Sequence, residues 1–259
     1  RWLPELAPPG SVPSLVFEDP LNHLLAMQAV PQPHENWKTL LLAGHVEPDH
    51  VRQFGELLAA VHRRSVDRAD ELRPVFADRC YFESLRLEPY YAYTATQVPE
   101  AADFLAALSS DTTARALCVV HGDYSPKNVL VHAGRLVLLD HEVIHWGDPA
   151  FDVGFAMAHF LGKAHHLAEH RAAFVDAAKL YWRTYFKGVG GAAFDAALEP
   201  MSVRHSLGCS LARVAGRSPL EYLGAEERER QRMAVVALMR DPPATVEGMI
   251  DGFAAAVGR

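Results

Sequence analysis

The chain has 259 residues, 49% hydrophobic and 22% charged, which is the make-up of a soluble globular protein with one large domain or two modest ones. Its net charge of −7, from 25 basic and 32 acidic residues, disfavours a protein that grips a nucleic-acid phosphate backbone. No apolar run approaches the roughly 18 residues of a membrane span and no signal peptide is visible. Cys80, Cys118 and Cys209 are too scattered for a disulfide framework, so buried thiols in a cytoplasmic protein are expected.

In chain order, "LAPPGSVPS" reads as loop. Apolar runs at Leu15–Phe17 and Leu24–Met27 flank Glu18-Asp19-Pro20-Leu21-Asn22, which predicts a short β-hairpin. A Pro-rich connector leads to a helix from about Pro48 to Arg64, with Val51, Phe54, Leu57, Leu58 and Val61 on one face. Residues 66–96 are mixed, and Pro99 to about Leu108 reads as helix. "ALCVVHGD" is a short strand entering a Gly-containing loop, and "NVLVHAGRLVLLD" is a hairpin about Ala133-Gly134. After Pro149 the pattern is helical, over Phe151–Gly162 and about 166–187, 193–214, 226–239 and 244–257. Early and central strands followed by helices give an α+β class.

His141-Glu142-Val143-Ile144-His145 matches H-E-x-x-H, a zinc-hydrolase motif. That motif works on a helix, where residues i and i+4 share a face. Here "RLVLLD" precedes it as a strand pattern, and Trp146-Gly147-Asp148-Pro149 follows, so an extended or turning segment is expected. A zinc hydrolase is therefore a distant alternative. His165, His166 and His170 read as a solvated helix face.

A second constellation carries more chemistry. His121-Gly122-Asp123 is followed by Asn128 at the fifth residue, and Asp140 stands at the end of the second hairpin strand. Phosphoryl transfer needs a carboxylate near the acceptor hydroxyl and oxygen ligands for Mg²⁺ beside the triphosphate. A loop can bring Asp123 and Asn128 to one side, and the hairpin can return Asp140 to them.

With "HGDYSPKN", "LLDHE" and "GDPAFDVGF" in this order, the sequence resembles the aminoglycoside phosphotransferase and choline kinase superfamily, the small-molecule branch of the protein-kinase-like fold. The resemblance spans about Leu15 to Phe160. It implies ATP and Mg²⁺ as cofactors and a hydroxylated small molecule as acceptor, with no nucleic-acid or membrane partner. Asp123 would be the catalytic base, and Asn128 and Asp140 the metal ligands. Glu142 would approach a second metal or hold the loop. His121 would hold the catalytic loop rather than move protons. Ser125 would reach the phosphates, and Lys127 would offset their charge or lie in solvent. Met27, Gln28, Ala29 and Val30 would form the hinge that lies against adenine. Asp148 and Asp152 read as structural, Asp148-Pro149 being a helix start.

The same resemblance implies a mainly helical lobe over residues 31–259, preceded in 1–30 by a remnant of the nucleotide lobe. The phosphate-covering loop and strand Lys of a complete kinase have no counterpart in these residues, so an upstream lobe is expected. The alternative is a pseudokinase that binds without turnover. Without the upstream lobe, Val16, Leu24 and Leu25 would be exposed apolar residues. Arg213, Arg217, Glu221 and Tyr222 form either an acceptor wall or a salt-bridged surface turn.

Overall fold

The computed structural model describes residues 2–191 and 194–258. A short helix α1 (Leu3–Leu6) precedes the antiparallel hairpin of β1 (Leu15–Asp19) and β2 (Leu24–Met27). Asp19 closes that hairpin: its Oδ1 accepts from the backbone N–H of Leu21 at 3.1 Å and of Asn22 at 3.2 Å. Val16, Leu24 and Leu25 are 66%, 54% and 60% exposed, as expected of a hairpin with no layer over it.

The chain then forms β3 (Glu35–Asn36), α2 (Trp37–Leu42) and α3 (Pro48–Asp67). Asn36 caps α2, its side chain accepting from Lys38 N–H. The α3 face of Val51, Phe54, Leu57, Leu58 and Val61 is buried, as its spacing requires. The stretch read as mixed is almost wholly helical: α4 (Ala69–Val75), α5 (Cys80–Phe82), a π-helical segment Glu83–Ala92, and α6 (Tyr93–Gln97). Pro74 and Pro89 inside these turns hid the helical signal. A 3₁₀ turn at Pro99–Ala101 leads into α7 (Ala102–Ala114).

In the centre lie β4 (Cys118–Val120), β5 (Val129–His132), β6 (Arg135–Leu138) and β7 (His145–Gly147). Ala133 and Gly134 both take positive φ, 48° and 74°, the geometry of a two-residue hairpin turn. β3 adds to this hairpin to give the order β3-β5-β6, while β4 pairs antiparallel with β7. Neither β3 nor β7 was legible, because two or three residues are too few to show alternation.

The remaining helices are α8 (Pro149–His166), α9 (Arg171–Val189), α10 (Leu198–Ala215), α11 (Ala225–Arg240) and α12 (Val246–Val257). The expected start of α10 at Ala193 lies outside the described residues. α8 is buried on every side from Pro149 to His165 and forms the axis of the domain. Gly154 lets α10 lie directly on it, since a Cβ there would stand 2.4 Å from His205 Cβ. Cys118 and Cys209 are buried as expected, but Cys80 is exposed at the start of α5. No described helix is long and apolar enough to cross a membrane.

Candidate active site

β4 delivers the chain into a tight loop at His121-Gly122-Asp123. Gly122 has φ of 78°, and a Cβ there would meet Val143 O at 2.8 Å, so this turn admits only glycine without strain. The loop is anchored from below by Asp152 on α8. Its Oδ2 accepts from His121 N–H at 2.7 Å, and its Oδ1 accepts from Gly122 N–H at 2.8 Å. His62 on α3 approaches Oδ2 at 3.2 Å and is itself 2.9 Å from the Tyr185 hydroxyl. Burial opposes ionisation of Asp152, but the His62 hydrogen bond, nearby imidazoles and the His121 N–H hold its carboxyl below the ordinary range.

Asp123 is 1% exposed. Its Oδ2 accepts from Asn128 Nδ2 at 2.9 Å and pairs with Lys127 Nζ at 2.9 Å and an Arg86 guanidinium nitrogen at 3.1 Å. Oδ1, equally buried, has no hydrogen-bond partner. Asn128 Nδ2 also donates to the Asp123 carbonyl at 3.0 Å, so both of these bonds are made by the amide nitrogen. Ser125 is buried, with its hydroxyl unpartnered. Lys127 reaches outward from the same turn, its side chain 45% exposed.

The hairpin brings Asp140 back to this loop. Leu139 N–H donates to the Asn128 carbonyl at 2.8 Å, and β6 ends at Leu138 opposite Val129. Asp140 follows with φ of 63°, a left-handed conformation that Asp tolerates better than most side chains. Asp140 and Glu142 are both exposed at this rim.

His121 Nδ1 accepts from Asp123 N–H at 3.2 Å. Its proton therefore sits on Nε2, 3.3 Å from the Leu139 carbonyl and 3.1 Å from His141 Nδ1. Burial lowers the pKa of this imidazole. His121 thus ties the loop of residues 121–128 to both neighbours of Asp140.

The H-E-x-x-H segment is not helical. His141–Ile144 forms a turn, and His145 opens β7, stacked on Phe82 at 3.9 Å between ring centroids. His141 faces His121 while His145 is buried against Phe82, so the geometry expected of a zinc helix is missing. The histidines at and just beyond the end of α8 also differ from the expected solvated face. His165 is buried with Nδ1 3.4 Å from Gln231 Oε1, and half-buried His166 contacts Glu227 at 3.0 Å; only His170 is exposed.

Met27, Gln28, Ala29 and Val30 lie apart from the loop, along the exit of β2. Gln28, Ala29 and Val30 border a cavity of about 230 Å³ whose other walls include Val12, Pro13 and Val137. Met27 lines a neighbouring cavity of about 180 Å³ with Leu25, Phe76 and His141. Val137 is on β6, so the first cavity abuts the strand that ends beside Asp140.

Sequence reasoning missed Arg86. Besides pairing with Asp123, it donates from Nε to the Gly122 carbonyl at 2.7 Å, and nothing in its helical stretch marks it. It also assigned Asp152 only a general structural part. The signal was present in the final Asp of "GDPAFD", which stands at the α8 position facing the loop.

The family model described as the Phosphotransferase enzyme family matches residues 1–188. No curated protein matches the chain. Among solved structures, a glucosamine kinase is similar at 13% identity and a TM-score of 0.52, over 96% of this chain and 65% of that one. A choline/ethanolamine kinase family protein from Mesorhizobium loti matches at 17% identity and a TM-score of 0.48, over 96% of this chain and 78% of that one. The chain therefore spans about two thirds of the glucosamine kinase's length, and the likeness is one of fold, kinase-like with a mainly helical lobe.

Proposed function

Because this chain belongs to the phosphotransferase enzyme family, we propose that it transfers the γ-phosphoryl group of ATP to a hydroxyl of a small molecule, with Asp123 as the base. The observation that carries this reading is the asymmetry of the Asp123 carboxylate. Oδ2 is held by Arg86, Lys127 and Asn128, whereas buried Oδ1 is unpartnered. Leaving such an oxygen buried and unpaired costs about 1–3 kcal/mol or more, and an acceptor hydroxyl donating to it would recover that cost. The hydroxyl proton would pass to Oδ1 as the acceptor oxygen attacks phosphorus, with ADP leaving.

Asn128 and Asp140 fit a hard divalent cation. Asn128 uses its amide nitrogen on Asp123, which leaves Oδ1 as its ligand atom, and Asp140 adds a carboxylate at the hairpin end. Bound Mg²⁺ would neutralise triphosphate charge, with Glu142 as a further carboxylate at the rim. Lys127 would move from Asp123 toward the phosphates as they arrive, and the Ser125 hydroxyl would donate to them. Met27 to Val30 would serve as the hinge, with adenine in the cavity floored by Val137. Residues 1–30 would then belong to the nucleotide lobe and 31–259 to the catalytic and acceptor lobe.

Calorimetric titration with ATP, with and without Mg²⁺, tests the assignment. Binding should depend on the metal, and Asp140→Ala should remove that dependence. Unchanged Mg·ATP affinity in the variant would reject Asp140 as a ligand. Metal-dependent binding with no transfer to any of a wide panel of hydroxylated acceptors would favour the pseudokinase.

A further inference from the structure

Among the described residues, two cations are buried without a carboxylate partner. Lys163, on α8, is wholly buried, and its ammonium makes one long hydrogen bond of 3.3 Å to the His159 carbonyl. Arg213, near the end of α10, is 6% exposed. It donates to the Ser218 carbonyl at 3.0 Å and meets His159 Nε2 at 3.1 Å, where the imidazole must be the acceptor. Among the described residues no carboxylate lies in contact with either. A buried charge is ordinarily paired, because desolvation costs several kcal/mol per ion.

One aromatic ring links Arg213 to the partner of the proposed base. Arg213 packs over the Phe155 ring at 5.0 Å, and Arg86, the partner of Asp123, lies over the same ring at 5.6 Å. Lys163 is 5.5 Å from the Tyr222 ring, whose buried hydroxyl has no hydrogen-bond partner. The carboxylate that bears on these cations, Glu221, has a side chain 65% exposed and is engaged by Lys38. That exposed pair joins the loop after α10 to α2. Such pairs contribute about 0–1 kcal/mol, so an arriving anion can displace Glu221 from this pair at little cost. Burial, with Lys38 and Arg213 adding to it, lowers the Lys163 pKa to about 7, the mark of a cation lacking its counter-charge.

We propose that the acceptor is an anion: a hydroxylated small molecule whose carboxylate or phosphate is bound by Lys163, Arg213 and the Tyr222 hydroxyl while its reacting hydroxyl lies at Asp123. The inference rests on the phosphotransferase reading for the second contact and on the unpaired cations for the first. It separates this chain from the glucosamine kinase it resembles in fold, whose named sugar is an amine.

The test is calorimetric binding to the full chain in low-salt Tris chloride without nucleotide. The probes are D-gluconate, D-glycerate, glucose 6-phosphate and inorganic phosphate, with neutral glucose and cationic glucosamine as controls. At least one anion should bind and both controls should not; the class that binds distinguishes a carboxylate site from a phosphate site. Lys163→Met and Arg213→Gln, each checked for folding by circular dichroism, should weaken that binding at least about 30-fold. No binding by any anion, glucosamine binding as tightly as the best anion, or full affinity in both variants would overturn the proposal. Because no ATP or Mg²⁺ is present, these results are independent of the Asp140 titration.

Discussion

Replacing Lys163 by Met should stabilise the fold, and should do so more at neutral pH than in alkali. The ammonium is fully buried and donates only one 3.3 Å bond, to the His159 carbonyl of its own helix. Its pKa falls from an ordinary 10.5 to about 7, through burial first and then the charges of Lys38 and Arg213. A depression of that size corresponds to a penalty on the order of 4–5 kcal/mol. The unfolded amine stays protonated to about pH 10.5 and the folded one only to about pH 7, so the unfolded state binds more protons in between. The penalty is therefore full below about pH 7 and fades as pH rises toward 10.5. Met keeps the length and apolar stem, and some of the gain is lost to imperfect repacking. A net gain of about 3 kcal/mol at pH 7 should raise Tm by roughly 6–12 °C in a domain of this size. Near pH 10 the gain should shrink to about 1 kcal/mol or less. Scanning calorimetry in phosphate-free buffer at both pH values measures it. A destabilised variant, or a gain independent of pH, would refute the account of Lys163 as an uncompensated charge.

Asp123→Asn preserves shape but removes the proposed base, so the rate of phosphoryl transfer should fall by about 10²–10⁴ while circular dichroism shows the fold retained, with Tm lowered by loss of the buried Arg86 pair; an unaltered rate would reject the assignment. Asp152→Asn should cost about 3–5 kcal/mol at pH 7, because it leaves the His121 and Gly122 amides and His62 without their shared anion. Since the folded pKa of Asp152 is lowered, its contribution is present above the ordinary carboxylate pKa and is lost as pH falls through the folded value. Denaturation midpoints of the two proteins should accordingly converge in acid, and a constant gap down to pH 2 would contradict the assigned anchor.

The loop of residues 121–128 and the hairpin after it were legible because their constraints are local. The turn at Gly122 needs positive φ, Asp123 and Asn128 meet within one short loop, and the alternation about Ala133-Gly134 specifies which strand returns Asp140. The α3 face and the α8 cap at Asp148 follow from helical period and capping chemistry, which also act over a few residues. Contacts between distant segments were not legible. The pairing of β4 with β7 joins residues separated by the whole loop and hairpin, and a three-residue strand has no period to read. Arg86 meets Asp123 only because the π-helical segment packs across the loop. Lys163 lies at the end of a helix among His159, His165 and His166, which as a sequence looks solvated; the packing of α10 and Tyr222 against α8 removes it from water. Sequence alone determined the chemical groups and the loop that carries them. Tertiary packing decided which charges are buried and left unpaired, because desolvation depends on what covers a side chain and not on its neighbours in the chain.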